Sequence, residues 1–378
     1  MQITLRLITL AFFLFTIQLN AQNKKNFDSL DVFQLEYTGD PQISPDGQWI
    51  VYLRTGFDIM KDASARSLWL LSSDGSIHRK LTSSQENERQ GRWSPSGDRI
   101  AFVSGSEHGN EVYVYWLASA TLAKLTQLEN GPSSISWSPD GASIARNENW
   151  EYEFRNSEVY SVNTKTGAIK TLTNRTGPDY APMISPNGKH IAYMGYEDKV
   201  QAYQVRSLQL MDSNGENKRT VSENLDRDVD NVVWASDSKG LYFKYNDLGL
   251  TKIAYINLNG KVTDIVENVG GTTLGRPYAS GSFSVSKNGK IAYTLSRSDR
   301  PADVAIVEKG GKESILSQVN DDLINYRNMG EVEEIWYTSS IDQRDIQGWV
   351  VYPPNHQKGT MVPLLVENHG GPILNYGD

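Results

Sequence analysis

A Ser-Pro-Asp-Gly turn between two apolar strands recurs along most of this chain, and self-similarity at a fixed period restricts a fold more than any single motif does. The units are Ile43-Ser44-Pro45-Asp46-Gly47 running into Trp49-Ile50-Val51-Tyr52, Trp93-Ser94-Pro95-Ser96-Gly97 into Ile100-Ala101-Phe102, and Trp137-Ser138-Pro139-Asp140-Gly141 into Ile144-Ala145. Ile184-Ser185-Pro186-Asn187-Gly188 runs into Ile191-Ala192-Tyr193, Trp234-Ala235-Ser236-Asp237-Ser238 into Leu241-Tyr242-Phe243, and Val285-Ser286-Lys287-Asn288-Gly289 into Ile291-Ala292-Tyr293. Aligned on the serine (Ala235 in the fifth), the units are 44 to 51 residues apart. Pro presets its own φ, Asp or Asn bonds to nearby backbone, and Gly accepts the positive φ that closes a hairpin, so each unit predicts a β-hairpin.

A second hairpin follows each first one: Ser67 to Leu71 turns at Asp74-Gly75 into the strand ending Leu81-Thr82. It recurs at Glu111 to Thr126, Glu158 to Thr173 and Ser207 to Ser222, and more loosely at Lys252 to Glu267 and Asp303 to Ser317. Two hairpins make four strands, the content of one propeller blade of roughly 40 to 50 residues. Six four-stranded blades of an all-β propeller are legible. A seventh is expected from weakly patterned segments such as Asn26 to Gly39 and Asn320 to Met329. No blade buries both sheet faces alone, so stability must come from stacked neighbours. The Trp and Tyr residues of these strands are read as packing between blades, not as ligand contacts.

At 378 residues the chain has room for a second folding unit. Thirty-seven Lys and Arg against 45 Asp and Glu give a net charge of -8, which argues against a nucleic-acid surface. There is no cysteine, and hence no disulfide scaffold, thiolate nucleophile, thiolate metal site or lipid-modified N-terminal cysteine. Nothing points to a metal or another cofactor. Residues 1–21 read as a signal peptide: Arg6 is the only charge, an apolar run from Leu7 to Leu19 is shorter than a membrane span, and Leu19-Asn20-Ala21 ends it. The alternative is an uncut anchor. The favoured expectation is export, to the periplasm or the medium, with no stable membrane span after cleavage.

Past about Asn320 the repeat fades. Val332 to Ser339 and Gln347 to Tyr352 read as two antiparallel strands ending at Pro353-Pro354. Val362 to Val366 reads as a strand covered on both faces, leading into His369-Gly370-Gly371-Pro372. This divides the chain into a propeller over 22–328 and a second domain beginning at 329 and incomplete at 378. Glycines after such a strand let a backbone N–H approach a developing alkoxide, worth about 3 to 4 kcal/mol of transition-state stabilisation. By itself the four-residue turn is a weak signal.

In context it is stronger. Propeller blades of this type, then Glu333-Glu334-Ile335-Trp336-Tyr337, Gln347-Gly348-Trp349 and Pro353-Pro354, then a strand into His369-Gly370-Gly371-Pro372, resemble the prolyl oligopeptidase family of serine peptidases. The resemblance covers nearly the whole mature chain and is nearest to the acylaminoacyl-peptidase-like branch, where the oxyanion loop reads His-Gly-Gly-Pro; the dipeptidyl branch usually carries Tyr for His. It implies a propeller capping an α/β-hydrolase domain that cleaves oligopeptides through an acyl-enzyme, with the propeller as substrate filter. It makes Gly371 the oxyanion donor, with Gly370 shaping the turn and His369 lining the pocket. The triad of Ser, acid and His lies beyond that loop in such enzymes. No G-x-S-x-G occurs in the 378 residues, and His78, His108, His190, His356 and His369 are not placed to serve a nucleophile. The chain is therefore expected to be catalytically incompetent alone.

Asn149 to Arg155 departs from the blade pattern, and Glu151 with Glu153 is a candidate holder of a substrate's α-amino group, as acidic residues are in the dipeptidyl branch. A solvated ion pair with Arg155 accounts for the same residues and is favoured on base rates. A non-catalytic periplasmic propeller similar to that of the Tol translocation system is the alternative function. It leaves the junction strands and the glycine turn unexplained. An esterase on the same fold is separable only by substrate profiling.

Overall fold

The repeated serine closes each turn twice, once through its backbone and once through its hydroxyl. In the computed structural model, which describes residues 24–82, 87–107, 109–127, 143–146, 156–162, 168–271, 280–308 and 310–368, the N–H of Ser44 donates to the carbonyl of Trp49 (2.7 Å). The N–H of Gly47 donates to the carbonyl of Ser44 (2.9 Å). The Ser44 hydroxyl accepts the N–H of Trp49 (2.9 Å) and in turn donates to Asp46, whose carboxylate also accepts the N–H of Gln48 (3.0 Å). The same pattern recurs at Ser185 and Ser286. Side-chain bonding of this kind is why Ser and Asp or Asn hold their places in the repeat.

Six consecutive sheets follow from these turns among the described residues. Blade 1 comprises Tyr37–Ile43, Trp49–Asp58, Ala63–Ser72 and His78–Lys80, and blade 2 comprises Arg89–Trp93, Arg99–Ser106, Gly109–Trp116 and Thr121–Lys124. Blade 3 has three described strands, Ser143–Arg146, Glu158–Val162 and Ile169–Thr171. Blade 4 comprises Asp179–Ile184, His190–Gly195, Ser207–Asp212 and Arg219–Thr220; blade 5, Asp230–Trp234, Gly240–Asp247, Leu250–Asn257 and Val262–Val266; blade 6, Phe283–Val285, Ile291–Arg297, Arg300–Val307 and Glu313–Ile315. All neighbouring strands within a blade are antiparallel.

The core lies between blades rather than within them. Val51, Leu68 and Leu70 of blade 1 pack with Ile100, Phe102, Tyr113 and Tyr115 of blade 2, whereas Ile50, Tyr52 and Leu71 of the same blade pack with Ala292, Val304 and Ile306 of blade 6. Alternate residues of one strand thus serve opposite neighbours, the period-2 rule applied to a sheet buried on both faces. Similar clusters join blades 3 and 4, 4 and 5, and 5 and 6. Tryptophans of the repeat tie two of the joints: the indole of Trp93 donates to the carbonyl of Gln42 in blade 1 (2.7 Å), and that of Trp234 to the carbonyl of Met183 in blade 4 (3.0 Å). Their role is packing between blades, as expected.

Among the described residues blade 1 packs directly against blade 6, with no further sheet between them. The segments expected to build a seventh blade do not form one there, which corrects that assignment. Tyr37–Ile43, which begins within the last three residues of the segment assigned to it, is the first strand of blade 1 and bonds to blade 6 through Thr38 to Ala302 (2.7 Å) and Ile43 to Ser284 (2.8 Å). The remaining candidate residues pair elsewhere: Lys25–Asn26 lies parallel to Arg327–Asn328. Two weakly patterned segments looked like spare strands because short parallel pairs carry no turn signal between them.

By compactness the described residues form two units, one within 35–319 with 364–368, the other of 24–34 with 320–363. In the second, Arg327 grips the buried Asp31 through two parallel bonds (2.5 and 2.6 Å), which holds that carboxyl below the usual range. Val332–Thr338 and Asp345–Val351 form an antiparallel hairpin, the two junction strands read from the sequence.

The fifth turn carries Ser238 where others carry Gly, at φ +59°, and its hydroxyl accepts the N–H of Asn187 from blade 4 (3.1 Å). Ser238→Ala keeps the left-handed backbone and loses the bond, whereas Ser238→Gly loses the bond but relieves the strain. Urea unfolding should find the Gly variant more stable than the Ala variant by about 1 kcal/mol; equal stabilities would contradict this.

Candidate functional site

Strand order places the Ser-Pro turns on one face of the propeller and the starts of the first strands on the other. That second face also carries the connections between second and third strands. These connections are two to four residues long in blades 1, 2, 5 and 6 but run over 147–157 in blade 3 and 196–206 in blade 4. Long connections on a rigid scaffold are where recognition residues concentrate. The candidates Glu151 and Glu153 fall in the first of them and lie outside the described residues, as do Gly371, Gly370, His369 and the signal segment 1–21.

The roots of the two long connections are spliced together by residues 173–179. Asp179 N–H donates to Ser157 carbonyl (2.8 Å), the Ser157 hydroxyl to the Asp179 carbonyl (3.1 Å), and Gly177 N–H to the Asn156 side chain (3.1 Å). On the other side Asp198 N–H donates to Thr176 carbonyl (2.8 Å) and Tyr196 N–H to Pro178 carbonyl (3.3 Å). A side chain at Gly195 would strike the Pro178 carbonyl, Arg175 and Asp179, so only glycine permits this approach.

Asp179 sits in the middle of the splice with its side chain 1% exposed. Burial pushes its carboxyl above the usual range, and the guanidinium of Arg175 only partly offsets that. Glu158, one strand away, is pushed up by burial too, with the charge of Asp179 adding to the shift, while the Thr173 hydroxyl donates to it (2.5 Å). Further round, Arg206 pairs with Asp228 (3.0 Å), Gln204 bonds to Asp198 (2.9 Å), and Val200 and Tyr203 project from the second connection, 84% and 48% exposed. The result is a base of paired acidic and basic groups joining the described roots of the two connections. Sequence reading found the first connection through its odd composition and missed the second, whose length shows only once both flanking strands are placed.

Other candidate groups have structural partners. His78 Nε2 lies 2.7 Å from the Tyr52 hydroxyl, and burial pushes the imidazole down. His190 Nδ1 faces Asp212 at 3.3 Å, and His356 stacks on Tyr352. The Ser185 hydroxyl is committed to Asn187 and the backbone of His190. No group of three or more His, Cys, Asp or Glu able to hold a metal occurs among the described residues.

The approach to the glycine turn differs from expectation. Val362–Val366 is not paired as a strand, and Leu364 and Leu365 are 81% and 93% exposed. An apolar strand covered on both faces forms only against neighbours, and none of the described strands pairs with it.

Among the described residues the chain is thus of the β-propeller class, with a separate antiparallel hairpin later in the sequence. No family model matches the chain. It is 22% identical over 453 aligned positions to a protein named "Uncharacterized peptidase YuxL" from Bacillus subtilis, covering 94% of this chain and 68% of that one. It is 24% identical over 435 positions to a dipeptidyl-peptidase 5 of Porphyromonas gingivalis, covering 89% of this chain and 62% of the relative. Among solved structures, the acylaminoacyl peptidase of Pyrococcus horikoshii matches with a TM-score of 0.66 at 15% identity, over 88% of this chain and 60% of that one. The chain thus spans about three fifths to two thirds of the length of these three proteins. These matches bear out the resemblance to peptidases of the prolyl oligopeptidase family.

Asp179 gives this region a pH signature. Its folded value is raised, so its contribution to stability is full below the ordinary aspartate value of 3.8 and is lost as pH rises through the folded value. Compared with Asp179→Asn in denaturant unfolding, the wild type should lose stability as pH rises from 4 toward 7; parallel curves for the two proteins would contradict the assignment.

Proposed function

We propose that this chain supplies the propeller and the opening segment of the hydrolase domain of an exported serine peptidase that cleaves short peptides through an acyl-enzyme. The observation that carries the reading is the order of parts in one chain. Six consecutive sheets among the described residues are followed by the junction hairpin and, in sequence, by His369-Gly370-Gly371-Pro372, in a protein whose relatives are named peptidases. In this reading the N–H of Gly371 stabilises the oxyanion, the propeller admits only oligopeptides, and residues 1–21 direct export and are removed. No helix among the described residues is long and apolar enough to cross a membrane.

The nucleophile, its acid and its histidine are not supplied by these 378 residues. Oxyanion donors without a nucleophile form no covalent intermediate, so the chain alone is inert in this proposal. Incubation of the purified chain with a fluorophosphonate probe should give no labelled band; labelling of the 378-residue chain would overturn the statement. The reading frame past codon 378 should continue into G-x-S-x-G, then Asp, then His. A stop codon there would favour a propeller without catalysis.

In an enzyme carrying the triad, Gly371→Pro removes the donor N–H and should lower kcat by about 10²- to 10³-fold with little change in KM. An unchanged kcat would remove Gly371 from the role. Glu151→Ala with Glu153→Ala separates the two readings of that pair: a fall in kcat/KM confined to substrates with free N-termini marks amine recognition, and no change marks a surface ion pair with Arg155.

A further inference from the structure

The last two turns of the repeat break the Ser-Pro rule, and the departures meet at one place. Pro45, Pro95, Pro139 and Pro186 occupy the position after the serine in the first four units, while the fifth has Ser236 and the sixth Lys287. Ser236 donates its hydroxyl to the carbonyl of Lys287 (2.7 Å), joining blade 5 to blade 6. The N–H of Lys287 donates to the carbonyl of Pro45 (3.0 Å), joining blade 6 to blade 1. Its ammonium reaches past blade 1 to the carbonyl of Pro95 in blade 2 (3.4 Å). One exposed residue therefore bonds to three other blades, and proline at 287 would supply neither donor.

This joint has a particular need of such bonds. Among the described residues each blade is built from consecutive strands, and blades 1 and 6 exchange none. The remaining polar ties on the turn side are Asn288 Nδ2 to the Asp46 carbonyl (3.2 Å) and Lys290 Nζ to the Ser73 hydroxyl (3.2 Å). Beneath them lie the apolar cluster between blades 1 and 6 and, along the first strand of blade 1, the bonds of Thr38 to Ala302, Asp40 to Ser282 (3.1 Å) and Ile43 to Ser284.

We propose that Lys287 is the latch of the ring: its N–H and ammonium hold blade 6 to blades 1 and 2 on the turn side, and its release opens the joint between first and last blades. The latch rests on the fold alone and stands whether or not the protein is a peptidase.

The sign of one substitution tests this. Proline is accommodated at the same place in four sister turns, so if Lys287 is merely a divergent repeat position, Lys287→Pro should stabilise the chain by restricting its unfolded state. If Lys287 is the latch, amide hydrogen exchange at Ser44, Gly47, Trp49 and Gly289 should rise roughly tenfold in Lys287→Pro, while Ser185 and Gly188 in blade 4 stay unchanged. Unchanged or slower exchange at the first group overturns the proposal. Should that variant fail to fold, Lys287→Ala carries the test. It keeps the N–H and loses the reach to Pro95, so Ser94 and Gly97 should exchange faster with blade 4 unaffected, and no change at Ser94 and Gly97 overturns it.

Discussion

No blade of this propeller can bury its own two faces, and the rest of the structure depends on that constraint. Ile50 and Tyr52 point at blade 6 while Val51, between them, points at blade 2; each side chain is out of water only because a neighbouring blade is in place. A fully buried Val, Leu or Ile side chain is worth about 1.5 to 3 kcal/mol, against about 0.5 to 1.5 kcal/mol net for a neutral hydrogen bond. The clusters between blades therefore supply most of the favourable free energy. The turn and tryptophan bonds, weaker one by one, set which strand meets which and hold the ring at six.

The same constraint accounts for the contrast with the second unit. Its hairpin finds no third strand among the described residues, and Trp336, Tyr337 and Val351 remain about half exposed or more. Apolar residues with a strand pattern but without neighbours keep the pattern and lose the burial. The Asp31 and Arg327 pair holds this unit's two chain segments together by charge where the propeller uses packing.

Much of this was legible from spacing. Turn residues with a fixed φ or a fixed side-chain bond predict hairpins wherever they recur, and all five described Ser-Pro-type turns lie where the repeat puts them. Blade number was not legible, because a weakly patterned segment such as Asn26 to Gly39 reads equally as a spare strand or as an inner strand plus a connecting arm. The inner strands also carry a repeated bulge, with Asp40, Gln90, Ala181 and Asn231 at positive φ, that no residue type announces. Of the candidate site, Glu151 and Glu153 stood out by composition. The splice through Asp179 did not, since its meaning comes from burial against Arg175 and Gly195. Ser236 and Lys287 stand where the other units carry Pro, and their bonds to neighbouring blades show only in three dimensions.

Ring closure at six blades is the claim on which the account turns, and the absence of native cysteine makes it directly accessible. The Asn288 side chain bonds to the backbone of Asp46 across the joint. In a chain carrying Asp46→Cys and Asn288→Cys, a short bismaleimide should form an intramolecular cross-link in high yield, seen by mass spectrometry as one peptide pair joined through the two introduced thiols. Modification of both cysteines by the reagent without any link between them would show that blades 1 and 6 are not neighbours, and would contradict the six-bladed ring.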